Sequence, residues 1–145
     1  MTFPQRVKDN PTYFNYRSEG GRVLYGEDVY VGYRYYDSLE VDPLFHFGHG
    51  LSYTQFRLSG LELTRNGENA LHVQCKVQNT GSRDGAEVVQ VYLAPLSAPI
   101  RRPVKELKEF AKVRLQAGSE KTVTIPLDIV RATSFWDEKI GRAHV

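Results

Sequence analysis

The amino-acid sequence predicts a mainly β protein folded as an antiparallel β-sandwich. Three observations carry this expectation. From Phe56 onward, apolar and polar residues alternate with period two, as in Leu71, Val73, Cys75 and Val77 against His72, Gln74, Lys76 and Gln78, which marks strands with one buried face. Such runs recur at roughly ten-residue spacing with turn residues between them, the pattern of short sandwich strands. The 145 residues suit one ordinary domain, or a small domain with a piece of another, and by surface scaling bury roughly 68–70% of the unfolded surface, so no staple or metal is needed to hold a core.

Taken in order, residues 1 to 24 hold Pro4, Pro11, Gly20 and Gly21 without a sustained period and read as an irregular surface segment. Val29-Tyr30-Val31-Gly32-Tyr33-Arg34-Tyr35-Tyr36 is dense in β-branched and aromatic residues and reads as a strand presenting Val29, Val31, Tyr33 and Tyr35 on one face. The stretch from Asp42 to Tyr53 is aromatic but broken by glycine and proline, and reads as a packed connector whose rings need burial. Leu61 and Leu63 lead into Asn66-Gly67, a two-residue type I′ hairpin signal. Asn79-Thr80-Gly81 and Asp84-Gly85 separate the Leu71 strand from a strand over Val88–Leu93, and Pro95, Pro99 and Pro103 then mark a loop. Val104–Leu115 carries apolar residues at helical spacing among helix formers, yet Ala111, Val113 and Leu115 also alternate, so pattern leaves both forms open. Gly118-Ser119 is a turn, and Val123, Ile125 and Leu127 face inward on a last strand.

Composition narrows function mostly by exclusion. Hydrophobic residues make up 41% and charged residues 25%, mean hydropathy is −0.44, and no apolar run approaches the roughly 18 residues of a membrane helix. Nineteen basic against seventeen acidic residues give a net charge of +2 spread along the chain, without the basic footprint of a nucleic-acid binder. Cys75 is the single cysteine and excludes an internal disulfide framework. The opening residues lack the apolar stretch of a signal peptide, and proline in Asn10-Pro11-Thr12 disqualifies that sequon.

Candidate chemistry is sparse. A glycosidase needs two carboxylates facing across a scissile bond, but Glu27 and Asp28 are adjacent and, on an extended chain, point to opposite faces; they read as solvated or turn-capping acids. His46 and His49 have the spacing of helical metal ligands, but Gly48 and Gly50 argue against a helix there, and no acid or cysteine cluster accompanies them. Ser52 lacks the second glycine of a nucleophile elbow, and Cys75 falls on an inward register as a small hydrophobe. Tyr30, Tyr33, Tyr35 and Tyr36 around Arg34 form the most suggestive cluster, readable as sheet packing or as stacking faces for a ligand. No catalytic, cofactor-binding or metal-binding residue is therefore assigned, and no cofactor is expected.

Motifs in a fixed order then carry a resemblance. Tyr25-Gly26-Glu27, Val31-Gly32-Tyr33-Arg34-Tyr35-Tyr36-Asp37, Pro43-Leu44-Phe45, Phe47-Gly48-His49-Gly50-Leu51-Ser52-Tyr53-Thr54, Val77-Gln78-Asn79-Thr80-Gly81, Glu87-Val88-Val89-Gln90-Val91-Tyr92, Pro103-Val104-Lys105-Glu106-Leu107-Lys108 and Ser134-Phe135-Trp136-Asp137 resemble the C-terminal part of family 3 glycoside hydrolases, chiefly β-glucosidases. The resemblance implies that residues 1–50 are the end of an α/β sandwich domain with its connector, that 51–138 are a truncated fibronectin type III-like domain of immunoglobulin-like sandwich form, and that 104–115 is a loop leading into a strand. It also implies that the nucleophile and the acid/base carboxylate lie in upstream domains, which would be this chain's intramolecular partners, and that the N-terminus is internal to a longer chain. A stand-alone sandwich module binding carbohydrate or protein is the alternative. Residues 139–145 depart from the family, and Ile140 to Val145 back-translate to a common sequencing-adapter read, so 139–145 are expected to be a non-native tail without a fold of its own. The resemblance further implies that the pair of family strands after Asp137 is missing, and Val89, Val91, Val123 and Ile125 are expected to lack part of their cover as a result.

Overall fold

The computed structural model describes residues 1–98, 100–137 and 141–143. The chain forms two compact units, Met1–Gly50 with Ala94–Glu106, and Leu51–Leu93 with Leu107–Val145. The second is a mainly β, antiparallel sandwich. Its strands are β1 (Phe56–Arg65), β2 (Ala70–Asn79), β3 (Gly85–Leu93), β4 (Glu106–Leu115) and β5 (Glu120–Asp128). One sheet runs in the order β1-β2-β5 with both pairings antiparallel, and β3 and β4 form another. The stretch that pattern left between helix and strand is thus a strand, β4.

The period-two pattern places the core. Val73, Cys75 and Val77 of β2 meet Val123, Ile125 and Leu127 of β5, and Val89, Val113 and Leu115 from β3 and β4 close over them. Each such side chain contributes roughly 1.5–3 kcal/mol when fully buried. Val89, Val123 and Ile125 are buried, contrary to the expectation that they lose part of their cover, whereas Val91, named with them, is half-buried and lines an open groove. The uncovered residues are on β1 instead, where Leu58, Leu61 and Leu63 are 50%, 70% and 63% exposed.

The connection between β1 and β2 corrects the two-residue turn. Only Gly67 (φ 94°) takes a positive φ there, and Asn66 does not, whereas type I′ requires it of both residues. The register sets Leu63 against Val73 and Arg65 against Leu71, and leaves residues 66–69 as a longer loop. Asn66 N–H closes it onto the Ala70 carbonyl at 2.9 Å, and the Asn69 carbonyl accepts from Ile129 N–H at 2.8 Å.

At the far end of β2, Asn79 is fully buried and ties four segments together. Its Oδ1 accepts from Thr54 Oγ1 at 2.6 Å and from Gly81 N–H at 3.1 Å, while Nδ2 donates to the Arg83 carbonyl at 2.7 Å and the Leu115 carbonyl at 3.4 Å. Gly85 is needed nearby for close approach: a Cβ there would stand 2.6 Å from Thr54 Cγ2 and 3.0 Å from Phe56 Cζ. After β5, Asp128 caps the short helix α2 (Ile129–Thr133) by accepting from Arg131 N–H. Then β6 (Phe135–Asp137) pairs antiparallel with β7 (Gly141–Ala143), so that part of the expected tail has strand structure; residues 138–140 and 144–145 lie outside the described residues.

The first unit overturns the strand expected over residues 29–36. Residues 27–30 form a turn, closed by Tyr30 N–H on the Glu27 carbonyl at 2.9 Å with Asp28 at φ 50°. Gly32, at φ 57° and ψ −138°, then starts helix α1 (Tyr33–Leu39), a backbone turn open to glycine that no continuous strand could contain. The tyrosines favour a strand only by composition; the winning term is tertiary, since the helix buries Tyr36, whose hydroxyl donates to the Asp9 carbonyl at 3.0 Å. The connector rings also depart from expectation. Phe45 is 39% and Tyr53 88% exposed, although Phe45 meets Phe3 edge-on and His49 stacks on it.

Candidate functional site

The residues singled out by sequence do not form one constellation. His49 N–H closes a turn onto the His46 carbonyl while its ring stacks on Phe45, 5.0 Å between centroids. Among the described residues no group of three or more His, Cys, Asp or Glu side chains is placed to hold a metal. Cys75 is buried, and that burial pushes its thiol up from the ordinary range. Much of the tyrosine cluster packs on neighbouring rings: Tyr35 meets Tyr36 edge-on at 5.3 Å, and Tyr33 meets Phe47 at 5.7 Å with Arg34 over its face.

Glu27 and Tyr30 are the exceptions. The turn at Asp28 brings both to a pocket of about 250 Å³ in the first unit, shared with Pro11, Asn15, Ser38 and Arg101. Glu27 Oε2, Tyr30 OH and Ser38 Oγ are buried there without a hydrogen-bond partner, and the Arg101 guanidinium lies 5.0 Å from the Tyr30 ring centroid. Sequence reading missed Asn15, Ser38 and Arg101, which come from three separate stretches and share no spacing; only the unusual φ of Asp28, a residue type that tolerates it, hints at the turn that gathers them.

The second unit carries a different concavity. A groove of about 530 Å³ runs between β1 and β3, lined by Leu58, Leu61, Leu63, Val89, Val91 and Leu93 among others. Its lining is mostly aliphatic, with Ser59, Cys75, Gln90 and Tyr92 as its polar members, and it gathers no acid and no histidine.

Comparison with known proteins places the chain. The family model described as a fibronectin type III-like domain matches residues 87–145. A relative named "Probable beta-glucosidase I" from Aspergillus niger is 52% identical over 149 aligned residues, covering 98% of this chain and 18% of the relative. The crystal structure of a GH3 beta-glucosidase from Bifidobacterium adolescentis superposes with a TM-score of 0.87 at 45% identity, covering 96% of this chain and 20% of that one. The Kluyveromyces marxianus beta-glucosidase solved in complex with glucose gives the same TM-score and identity over 97% of this chain and 17% of its own. The chain thus spans less than a fifth of the curated relative and a fifth or less of both structures, and the match runs through both of its units. Motif order, sandwich fold and these likenesses agree that the chain belongs to the family 3 glycoside hydrolases of β-glucosidase type, as their C-terminal portion bearing the fibronectin type III-like domain.

Proposed function

We propose that the chain is the non-catalytic support of a retaining β-glucosidase that hydrolyses terminal β-D-glucosyl residues. The observation that carries this reading is the form of the match, 98% of the chain against 18% of the Aspergillus niger relative. Retaining hydrolysis takes two carboxyl groups about 5–5.5 Å apart, one as nucleophile and one as acid/base. No residue here matches a catalytic motif of the family, so both carboxylates are assigned to upstream domains, and the domain division is read as 1–50, 51–138 and a tail over 139–145. What this chain supplies is surface. Its first unit leaves Phe14 90%, Tyr16 82%, Tyr25 78% and Leu24 69% exposed, apolar area whose burial against the catalytic domains would hold them in place.

The test uses the catalytic portion of the Aspergillus niger relative, expressed without its own C-terminal part, with and without this chain. The chain alone should give no hydrolysis of an aryl β-glucoside above a buffer blank. Mixed with the catalytic portion, it should co-purify and lengthen the half-life of hydrolysis at elevated temperature. Turnover by the chain itself in the ordinary enzymatic range of about 1–10³ s⁻¹ would overturn the reading. Failure to associate, combined with binding to a sugar polymer, would favour a stand-alone module.

A further inference from the structure

The pocket at Glu27 has no part in the support role, and nothing in that role explains it. We propose that it binds a neutral polyhydroxylated ligand no larger than one sugar ring, held by Glu27, Tyr30 and Ser38 beneath Arg101. This assignment is independent of the glycosidase reading, because every residue it uses lies within the first unit.

Unsatisfied hydrogen bonding comes first. A buried hydroxyl without a partner costs about 1–3 kcal/mol, and a buried carboxylate oxygen more. Five buried side-chain oxygens lack a hydrogen-bond partner among the described residues, and three of them, Glu27 Oε2, Tyr30 OH and Ser38 Oγ, belong to residues lining this one pocket. Of the remaining two, Asp37 Oδ2 faces Lys105 Nζ at 3.2 Å. The three oxygens call for a matching set of groups. A carboxylate only accepts, whereas a phenol and an alcohol both donate and accept, so the complement must offer a donor to Glu27 and can pair the two hydroxyls with donors or acceptors. Neighbouring hydroxyls of a polyol meet that demand.

Charge and size narrow the class. Glu27 and Arg101 are one acid and one base among the lining residues; they balance, so neither a cation nor an anion is favoured over a neutral molecule. The volume of about 250 Å³ falls just below the roughly 300 Å³ at which pockets for drug-sized ligands begin. Pro11, Leu39 and the tyrosine rings give apolar wall for the C–H faces of a ring. The geometry is also fixed in advance. The turn closed by Tyr30 N–H on Glu27 holds Asp28 at φ 50°, a conformation uncommon outside glycine, and α1 sets Tyr35 and Ser38 three residues apart on one face.

Saturation-transfer NMR on the 145-residue chain tests this with glucose, glycerol, methylammonium and inorganic phosphate as probes. Transfer to glucose is expected, with weaker transfer to glycerol and none to either ion. Glu27→Ala should weaken glucose binding at least tenfold, and Ser38→Ala, at a helical position where alanine is well tolerated, about threefold. Glycerol bound as well as glucose would reduce the site to a diol cleft and overturn the sugar-ring size. Transfer to methylammonium or phosphate ahead of glucose would overturn the neutral class. Absence of transfer to both polyols, or transfer unchanged in both variants, would overturn the site.

Discussion

Strands β1 and β5 flank the same partner, yet only β5 supplies buried core residues, while β1 adds no more than the half-buried Phe56 at its start. Along β5, Val123, Ile125 and Leu127 are 9%, 3% and 3% exposed, while Leu58, Leu61 and Leu63 of β1 are at least half exposed. Both strands complete an antiparallel ladder with β2, so the difference does not lie in backbone pairing. It lies in what covers them. Among the described residues the facing sheet has only β3 and β4, whose Val89, Val113 and Leu115 join the cluster over β2 and β5, while β1 borders the open groove. Register decides which side chains point inward; a second layer decides whether pointing inward becomes burial.

The largest way to break the covered half is Asn79→Ala. It removes all four side-chain bonds at a fully buried position and strands two carbonyls, an amide and the Thr54 hydroxyl. A loss of about 3 kcal/mol or more is expected in urea denaturation, and a loss below about 1 kcal/mol would mean that water replaces the side chain. Next comes Gly85→Ala, whose new methyl meets Thr54 and Phe56 at contact too close to keep. Overpacking of this kind costs about 1–3 kcal/mol, and adding Thr54→Ser, which deletes the methyl it strikes, should recover part of it.

A smaller effect sharpens the contrast from the first unit. Tyr36→Phe removes one bond, to the Asp9 carbonyl, at a cost of about 1 kcal/mol near neutral pH. Burial pushes the Tyr36 phenol above its ordinary 10.0. A folded value above the unfolded one favours the protonated form, so the stabilisation is present below pH 10 and is lost as pH rises through the folded value. The Phe variant should lack this component of alkaline loss, read from thermal melts between pH 9 and 11 by near-ultraviolet circular dichroism; parallel pH curves for the two proteins would refute it.

The smallest effect should come from the uncovered half. Leu61→Thr with Leu63→Thr should change the unfolding free energy by less than about 0.5 kcal/mol, since exposed β positions favour threonine, while lowering the binding of a hydrophobic dye. A loss of several kcal/mol would show that β1 is covered in solution.

Much of the sandwich was legible because alternation is a local signal with one meaning for β2 and β5. Where the uncovered residues fall was not legible. The strands expected to be missing after Asp137 pointed to Val89, Val91, Val123 and Ile125, whereas Leu61 and Leu63 are the exposed ones, since a leucine's register says nothing about the opposite sheet. The helix α1 was not legible, as its tyrosines are β-rich in composition and its start depends on the ψ of Gly32 and on a hydroxyl that reaches back 27 residues to Asp9. Of the pocket, Glu27 and Tyr30 were visible only as separate candidates. Ser38 and Arg101 join them through tertiary folding that no spacing encodes.

The bulge in β1 has a consequence for self-association. The ladder with β2 shifts register between Ser59 and Glu62, where Gly60 sits at φ 61°, so the strand's outer edge is broken into two runs, Phe56–Ser59 and Glu62–Arg65. Each is too short and too twisted to template a continuous fibril ladder, and Arg57, Glu62 and Arg65 add charge along it. Molecules that cluster through the exposed leucines would therefore meet face to face as amorphous assemblies, with the route to cross-β growth interrupted at its first step.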